Sequence, residues 1–226
     1  MEASMTRNCL VQLIVVIILS IAATILIAAS GMDLKVSSFF YVPGGGFIYG
    51  DRQPWHTLYH FGVWPAYIMV FTALLFLLIS FFRKGVGSYR KKAVFLILFI
   101  LLGPGLLVNV CFKDHWGRPR PRQIAEFGGT QTFHHPWQKD HLPQCKSFPC
   151  GHAAAAIYLI APFFLLRRTS RYHALAWLTV GIGYWIIMGA ARIVQGGHFV
   201  SDVLWSGAIV YLTGVLLADL MKLDSG

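Results

Sequence analysis

Apolar runs of close to twenty residues recur along the whole chain, and no other feature narrows its possible folds as far. An α-helix rises about 1.5 Å per residue, so about twenty such residues cross a hydrocarbon core of about 30 Å. In lipid the backbone must satisfy itself, which leaves helices or a closed barrel. Barrel strands alternate apolar and polar residues, whereas a run such as "LVQLIVVIILSIAATILIAAS" is continuously apolar. The sequence therefore predicts an all-α, polytopic membrane protein. Its fold is a six-helix transmembrane bundle forming one domain over 1–226, with spans near 10–30, 62–82, 93–112, 152–166, 174–190 and 203–221. Composition agrees: 56% of residues are hydrophobic and 12% charged, against about 25% charged in soluble domains. "AAS" at 28–30 mimics a leader cleavage site, but the apolar stretch before it is long for a leader and its basic start is weak, so a retained span is the expectation.

Loop charge sets the orientation. "RKGVGSYRKK" at 83–92 carries five basic residues and no acid, and "RRTSR" at 167–171 carries three. Both are expected to be cytoplasmic by the positive-inside rule, together with the two termini. Segments 31–61, 113–151 and 191–202 then face outward. The middle one breaks the rule, with Lys113, Arg118, Arg120, Arg122, Lys139 and Lys146, so those cations need a reason other than topology. Two spans separate 113–151 from 191–202, so both segments must emerge on one side and their charged groups can form one site. The net charge of +10 would suggest nucleic acid as a partner for a soluble chain. Here the cations lie in loops between spans, and nucleic acid is not an expected partner.

Three stretches carry the chemistry: "KDHWGRPRP" from Lys113, "SFPCGHAAAA" around Gly151 and His152, and "RIVQGGHFVSD" with Arg192, His198 and Asp202. Singly, each has a plain structural reading. The cations can snorkel at a span end, His152 can be a solvated helix end, and Asp202 can cap the last helix. Together they put three cations, two histidines and a carboxylate on one membrane face. Lys113, Arg120 and Arg192 can clamp a phosphoryl group, the arginines with paired donors. Gly151 lets the backbone approach closely, and the helix it opens offers free N–H groups. This is the charge stabilisation that phosphoryl transfer demands. His198 and Asp202 fall one helical turn apart, so the carboxylate is expected to hold one ring nitrogen and free the other for attack. His152 is then placed to protonate the departing oxygen.

K-x6-RP, P-x-GH and R-x5-H-x3-D, in this order, resemble the three-part signature of the type 2 phosphatidic acid phosphatase superfamily. Lys113, Arg120, Pro121, Pro149, Gly151, His152, Arg192, His198 and Asp202 occupy the matching positions. The resemblance covers the second half of the chain by motif and the first half only by its spans. It implies a metal-independent phosphatase without a cofactor. His198 would be the nucleophile forming a phosphohistidine, Asp202 its orienting partner and His152 the general acid. The substrate-binding set would be Lys113, Arg120, Cys150, Gly151 and Arg192. Two positions depart from the pattern, Cys150 and Ala191, where the family usually has serine. A thiol is the weaker donor. A cysteine-phosphatase reading of Cys150 would need C-x5-R, and Ala156 stands where that arginine belongs.

The surrounding sequence, "WGRPRPRQIAEFGGTQTF" and "CKSFPCGH", is loosely similar to the bacterial lipid A 1-phosphatase branch. It is less similar to phosphatases of phosphatidylglycerophosphate or undecaprenyl pyrophosphate. That similarity implies a bacterial inner membrane with the site facing the periplasm, and a lipid phosphate in the bilayer as partner. A lipid phosphotransferase using the same phosphohistidine is the enzyme alternative. An anion or lipid transporter is the non-enzyme alternative, although the spans hold few of the mid-membrane ionisable groups that pathways use. Cys145 and Cys150 can be imagined as a disulfide across a short loop. His134 and His135 read as solvated loop histidines rather than a metal site, and residues 32–55 as an aromatic interfacial anchor rather than a lid. The sequence carries no signal for the oligomeric state.

Overall fold

The computed structural model describes residues 5–83 and 87–223; Lys84, counted above in the 83–92 loop, lies outside the described residues. Helix α1 (Arg7–Ser30) is capped by Thr6, whose hydroxyl accepts the Cys9 N–H, and ends at Gly31 in a left-handed conformation. The short α2 (Met32–Ser38) and α3 (Trp55–Phe61) flank a loop with one 3₁₀ turn, Ile48–Asp51. Helix α4 (Trp64–Phe82) then packs against α5 (Arg90–Ile100). Next come α6 (Gly151–Ile157), α7 (Ala161–Leu166), α8 (Arg171–Val194) and α9 (Val200–Leu220). Among the described residues, five helical stretches are long and apolar enough to cross a membrane. Gly151–Leu166 is a shorter apolar helical run. At about 1.5 Å per residue that run reaches only about 24 Å.

Proline explains the two irregular stretches. Pro104 has no N–H to give Ile100, so the regular ladder of α5 cannot continue. The chain widens into a π-helix over Leu101–Lys113 before a last turn, Asp114–Trp116. Pro162 likewise has no N–H for Tyr158, and the run tightens into a 3₁₀ turn at Tyr158–Ile160 between α6 and α7. These features shift boundaries relative to the sequence reading. Lys113 lies within the helical stretch, one turn before its end, rather than opening a loop. Arg192 lies in the last turn of α8, which continues to Val194 until Gly196 turns the backbone left-handed (φ 59°). Helix α9 starts at Val200, three residues earlier than expected, which puts Asp202 in its first turn.

Helix α9 is the axis of the bundle. Its most apolar window is 61% buried, against 17% for α1, which lies against α9 at the periphery. Small residues on α9 let neighbours close in: a β-carbon on Gly214 would stand 2.5 Å from the Phe164 ring. Phe95, Phe99, Tyr158 and Phe164 fill the space among α5, the 3₁₀ turn and α7, with ring centroids 5.4–6.0 Å apart. In a membrane such contacts work through packing, because lipid tails are as apolar as the side chains they replace. Tyr158 buries its ring and donates its hydroxyl to the Leu96 carbonyl at 2.9 Å. The expected convergence is present: segments 31–61, 113–151 and 191–202 meet at one end of the bundle, where Arg118 pairs with both Asp33 and Asp202.

Candidate active site

His198 sits in the tight link between α8 and α9 and is 1% exposed. The sharp turn before it depends on Gly196, where a β-carbon would lie 2.4 Å from the Phe47 ring and φ is positive. His198 Nδ1 lies 2.6 Å from the Ser147 carbonyl. A carbonyl only accepts, so Nδ1 carries the hydrogen and Nε2 keeps its lone pair. Burial holds this imidazole well below its usual value, to about 3; Asp202 opposes that effect, and the charges of Arg192 and Lys113 reinforce it. A neutral ring with an unprotonated Nε2 is the form that can attack phosphorus.

The expected direct bond from Asp202 to His198 is corrected by the structure. The nearer carboxylate oxygen stands 3.7 Å from Nδ1, outside hydrogen-bond range. His198 precedes α9 rather than lying on it, so the one-turn helical geometry does not apply. Asp202 acts one step back: Oδ2 accepts from the Ser147 hydroxyl at 2.6 Å and from the Phe199 N–H at 2.7 Å. Serine 147 is thus the link, offering its carbonyl to the histidine and its hydroxyl to the aspartate. The Phe199 contact also ties down the start of α9, so one carboxylate both caps the helix and bonds the residue whose carbonyl holds the His198 ring.

Arg118 completes this layer, a residue that in the sequence is one loop cation among several. It is 0% exposed, and all its nitrogens are engaged. Nε donates to the His134 carbonyl (2.8 Å), Nη1 to Ser201 Oγ (2.8 Å) and Asp202 Oδ1 (2.5 Å), and Nη2 to Asp33 Oδ2 (2.9 Å). Asp33, on α2, also accepts the Ser201 N–H at 2.9 Å and its hydroxyl at 2.5 Å. The Phe199 ring lies 4.6 Å under the guanidinium. A buried ion pair survives only with its remaining donors and acceptors satisfied, and this one has them.

The other three cations have a different character. Among the described residues, none of Lys113, Arg120 and Arg192 pairs with a carboxylate. Three buried side-chain nitrogens there lack a hydrogen-bond partner, and two of them are Arg120 Nε and Arg192 Nε. Arg192 is positioned by Gln195, which accepts from Nη1, and by the Tyr59 ring 4.6 Å away. Gln195 is in turn fixed by donating to the Gly50 and Trp55 carbonyls. Lys113 Nζ would lie 3.1 Å from a β-carbon on Gly151, and Asn109 Oδ1 only 2.6 Å, so glycine there leaves room for both side chains. His152 is stacked on Tyr59 with ring centroids 5.3 Å apart and planes at 19°. The charges of Lys113 and Arg192 reach both His152 and His198. The predicted residues therefore gather at one place.

Cys150 is buried and fixed by its backbone, the N–H reaching the Asp202 carbonyl at 3.2 Å. Burial pushes its thiol up, against the pull of Arg192 and Lys113, so it stays protonated and is a poor nucleophile. Cys145 and Cys150 are both free thiols, so the imagined pair is not formed. His134 and His135 stay in the loop, His134 near Thr132 and Asp140, and His135 stacked on Trp137. The 32–55 segment does more than anchor, because Asp33, Phe47 and Gly50 all pack against site elements.

A groove of about 580 Å³ opens from this cluster. Lys113, Gly151 and His152 line one end of it, and Val70, Leu74 and Leu101 line the rest, between α4 and the widened end of α5. Asn109 lies along it, its amide held by the Pro104 carbonyl at 2.7 Å.

No solved structure matches the chain. It is similar to a lipid A 4'-phosphatase from Francisella tularensis subsp. novicida, with 32% identity over 84% of this chain and 86% of the relative. It is also similar to a lipid A 4'-phosphatase from Rhizobium leguminosarum, 29% identical over 84% and 88%. A third relative, phosphatidylglycerophosphatase B from Bacillus subtilis, is 27% identical over 76% of each chain. The sequence model of the PAP2 superfamily matches residues 92–223. That stretch takes in both histidines, Asp202 and the unpaired cations, and the chain belongs to the PAP2 superfamily as a membrane phosphatase acting on lipid phosphates.

Proposed function

We propose that the protein is a metal-independent phosphomonoesterase of a lipid A-type lipid, working through a phosphohistidine at His198. The 4'-phosphate is the favoured position, because two relatives with long coverage bear that name. Lys113, Arg120 and Arg192 hold the three non-bridging oxygens, the two orphaned guanidinium nitrogens supplying donors. Nε2 of His198 attacks phosphorus as the P–O bond to the lipid breaks, and His152, which can hold a proton once the bound phosphate offsets the charges of Arg192 and Lys113, gives it to the departing oxygen. Water then attacks the phosphohistidine while His152 takes up a proton. The P–N bond breaks and inorganic phosphate leaves. Asp202, through Ser147, and Arg118, through Asp202, are positioning residues that keep the Nδ1–H tautomer in register.

The observation that carries the lipid reading is the groove. An apolar channel ending at Lys113 and His152 offers acyl chains a place beside the phosphate. The basic 83–92 and 167–171 loops favour a cytoplasmic opposite end, which would turn the site toward the periplasm of a bacterial inner membrane. The test is phosphate release in detergent, with excess chelator, from lipid A, phosphatidic acid, phosphatidylglycerophosphate and polyprenyl pyrophosphate. Fastest turnover is expected on lipid A, unaffected by chelator. Turnover of the pyrophosphate alone, or only after adding metal, would contradict the proposal.

A further inference from the structure

Tyr59 stands between two cavities, lining one and stacking on His152, which lines the other. On the His152 side lies the apolar groove; on the other lies a polar cavity of about 300 Å³ bordered by Phe47, Asp51, Tyr59, Arg122, Phe127 and Arg192. The Tyr59 ring stacks on His152 and carries the Arg192 guanidinium over its face, so both cavities start at the same stack. Anything joined to the oxygen that His152 protonates begins at this divide and can extend into either space.

The lining of the second cavity suits a different chemistry from acyl chains. Phe47 and Phe127 meet edge to face at 5.6 Å, and Tyr41 leans on both at 5.7 and 5.3 Å, forming an aromatic wall. Opposite charges, Asp51 and Arg122, stand on the rim, both exposed. Gln195 is committed to holding Arg192 and to two backbone carbonyls. A carboxylate and a guanidinium offer an acceptor and a donor for neighbouring hydroxyls, and aromatic faces take C–H surfaces. The volume lies at the small end of ligand cavities, about 300–1,000 Å³, enough for one ring.

We infer that this cavity is a sugar subsite: it takes a hydroxylated ring bearing the scissile phosphate, while the acyl chains occupy the groove across Tyr59. The inference rests on the phosphatase reading and adds where the headgroup ring sits and which side chains read it. It makes Asp51 and Arg122 specificity residues with no part in the chemical step. Both side chains are exposed, so removing them leaves the packing intact.

The full-length protein in detergent is compared with Asp51→Ala and Arg122→Gln, reading phosphate release from lipid A and from phosphatidic acid. Both variants should lose about tenfold or more in kcat/KM on lipid A, the scale of a lost hydrogen bond to a charged group. On phosphatidic acid, which presents glycerol instead of a sugar, both should match wild type within about twofold. A parallel competition assay uses soluble hexosamine phosphate and glycerol 3-phosphate, and only the first should bind more weakly to the variants. Equal losses on both lipids, or no loss on lipid A, overturn the subsite while leaving the phosphatase reading standing. Wild-type protein that releases phosphate from neither lipid overturns both.

Discussion

Two clusters of charge share one end of the bundle, and they differ in completeness. Around Arg118 every guanidinium nitrogen meets an acceptor, and Asp33 and Asp202 balance the charge. Around Arg192 the cations Lys113 and Arg120 approach with no carboxylate paired to them among the described residues, and two guanidinium nitrogens stay unpaired. The same residue type serves as a finished strut at Arg118 and as half of an interaction at Arg120 and Arg192. Burying an unbalanced cation is costly, so its persistence points to an anion that completes it. The finished cluster is what allows the unfinished one to stay open, since it fixes the start of α9 and the His198 ring without drawing on Lys113, Arg120 or Arg192.

Paired substitutions break the comparison most sharply. Arg192→Ala should lower turnover by about 10²–10³, the scale of losing one donor to a developing charge, while thermal unfolding in detergent stays close to wild type. Arg118→Ala should instead destabilise the fold by about 3–5 kcal/mol, because Asp33 and Asp202 are left as uncompensated buried charges. Matching thermal losses in both variants would erase the distinction.

Acid gives a second test. His198 is held neutral to about pH 3 in the folded protein by burial, whereas an unfolded histidine takes its proton near pH 6.5. Between those values the unfolded chain binds the extra proton. The contribution of His198 is therefore intact above about pH 6.5 and is lost progressively as pH falls toward 3. Melting temperature should fall across that window, and His198→Gln should flatten the slope. An unchanged slope in the variant would place the titrating group elsewhere.

The smallest effect is expected at Cys150. Its thiol is buried and protonated, and its fixed contact is through the backbone. Cys150→Ser restores the usual family residue and should leave turnover within about threefold of wild type or raise it, consistent with a modest exchange of hydrogen-bond donors. A loss beyond tenfold in steady-state phosphate release would give the thiol a role of its own.

The two clusters also differ in how far the sequence revealed them. Lys113, Arg120, His152, Arg192 and His198 sit in short motifs, and alternating spans force those motifs to one end, so the unfinished cluster was legible before any coordinates. The finished one was not. Arg118 bonds to residues 83, 84 and 85 positions away, and Asp33 to Ser201 across 168, separations that leave no local spacing to read. The available hints were an unexplained excess of cations in one loop and a lone acid just past the first span. The Asp202 assignment shows the same limit: a one-turn spacing suggested a direct bond to His198, but helix α9 starts after the histidine and Ser147 takes the intermediate place. The π-winding of α5 followed from Gly103, Pro104 and Gly105, a signal visible in sequence but with several structural outcomes.

The central claim, that the unpaired cations and the neutral His198 bind and cleave one phosphoryl group, is tested most directly by trapping the intermediate. Protein mixed with lipid labelled at its phosphate and quenched within a turnover should carry alkali-stable, acid-labile label on His198, and His198→Ala should carry none and release no phosphate. An unlabelled wild-type chain during active turnover, or full phosphate release by His198→Ala, would contradict the account.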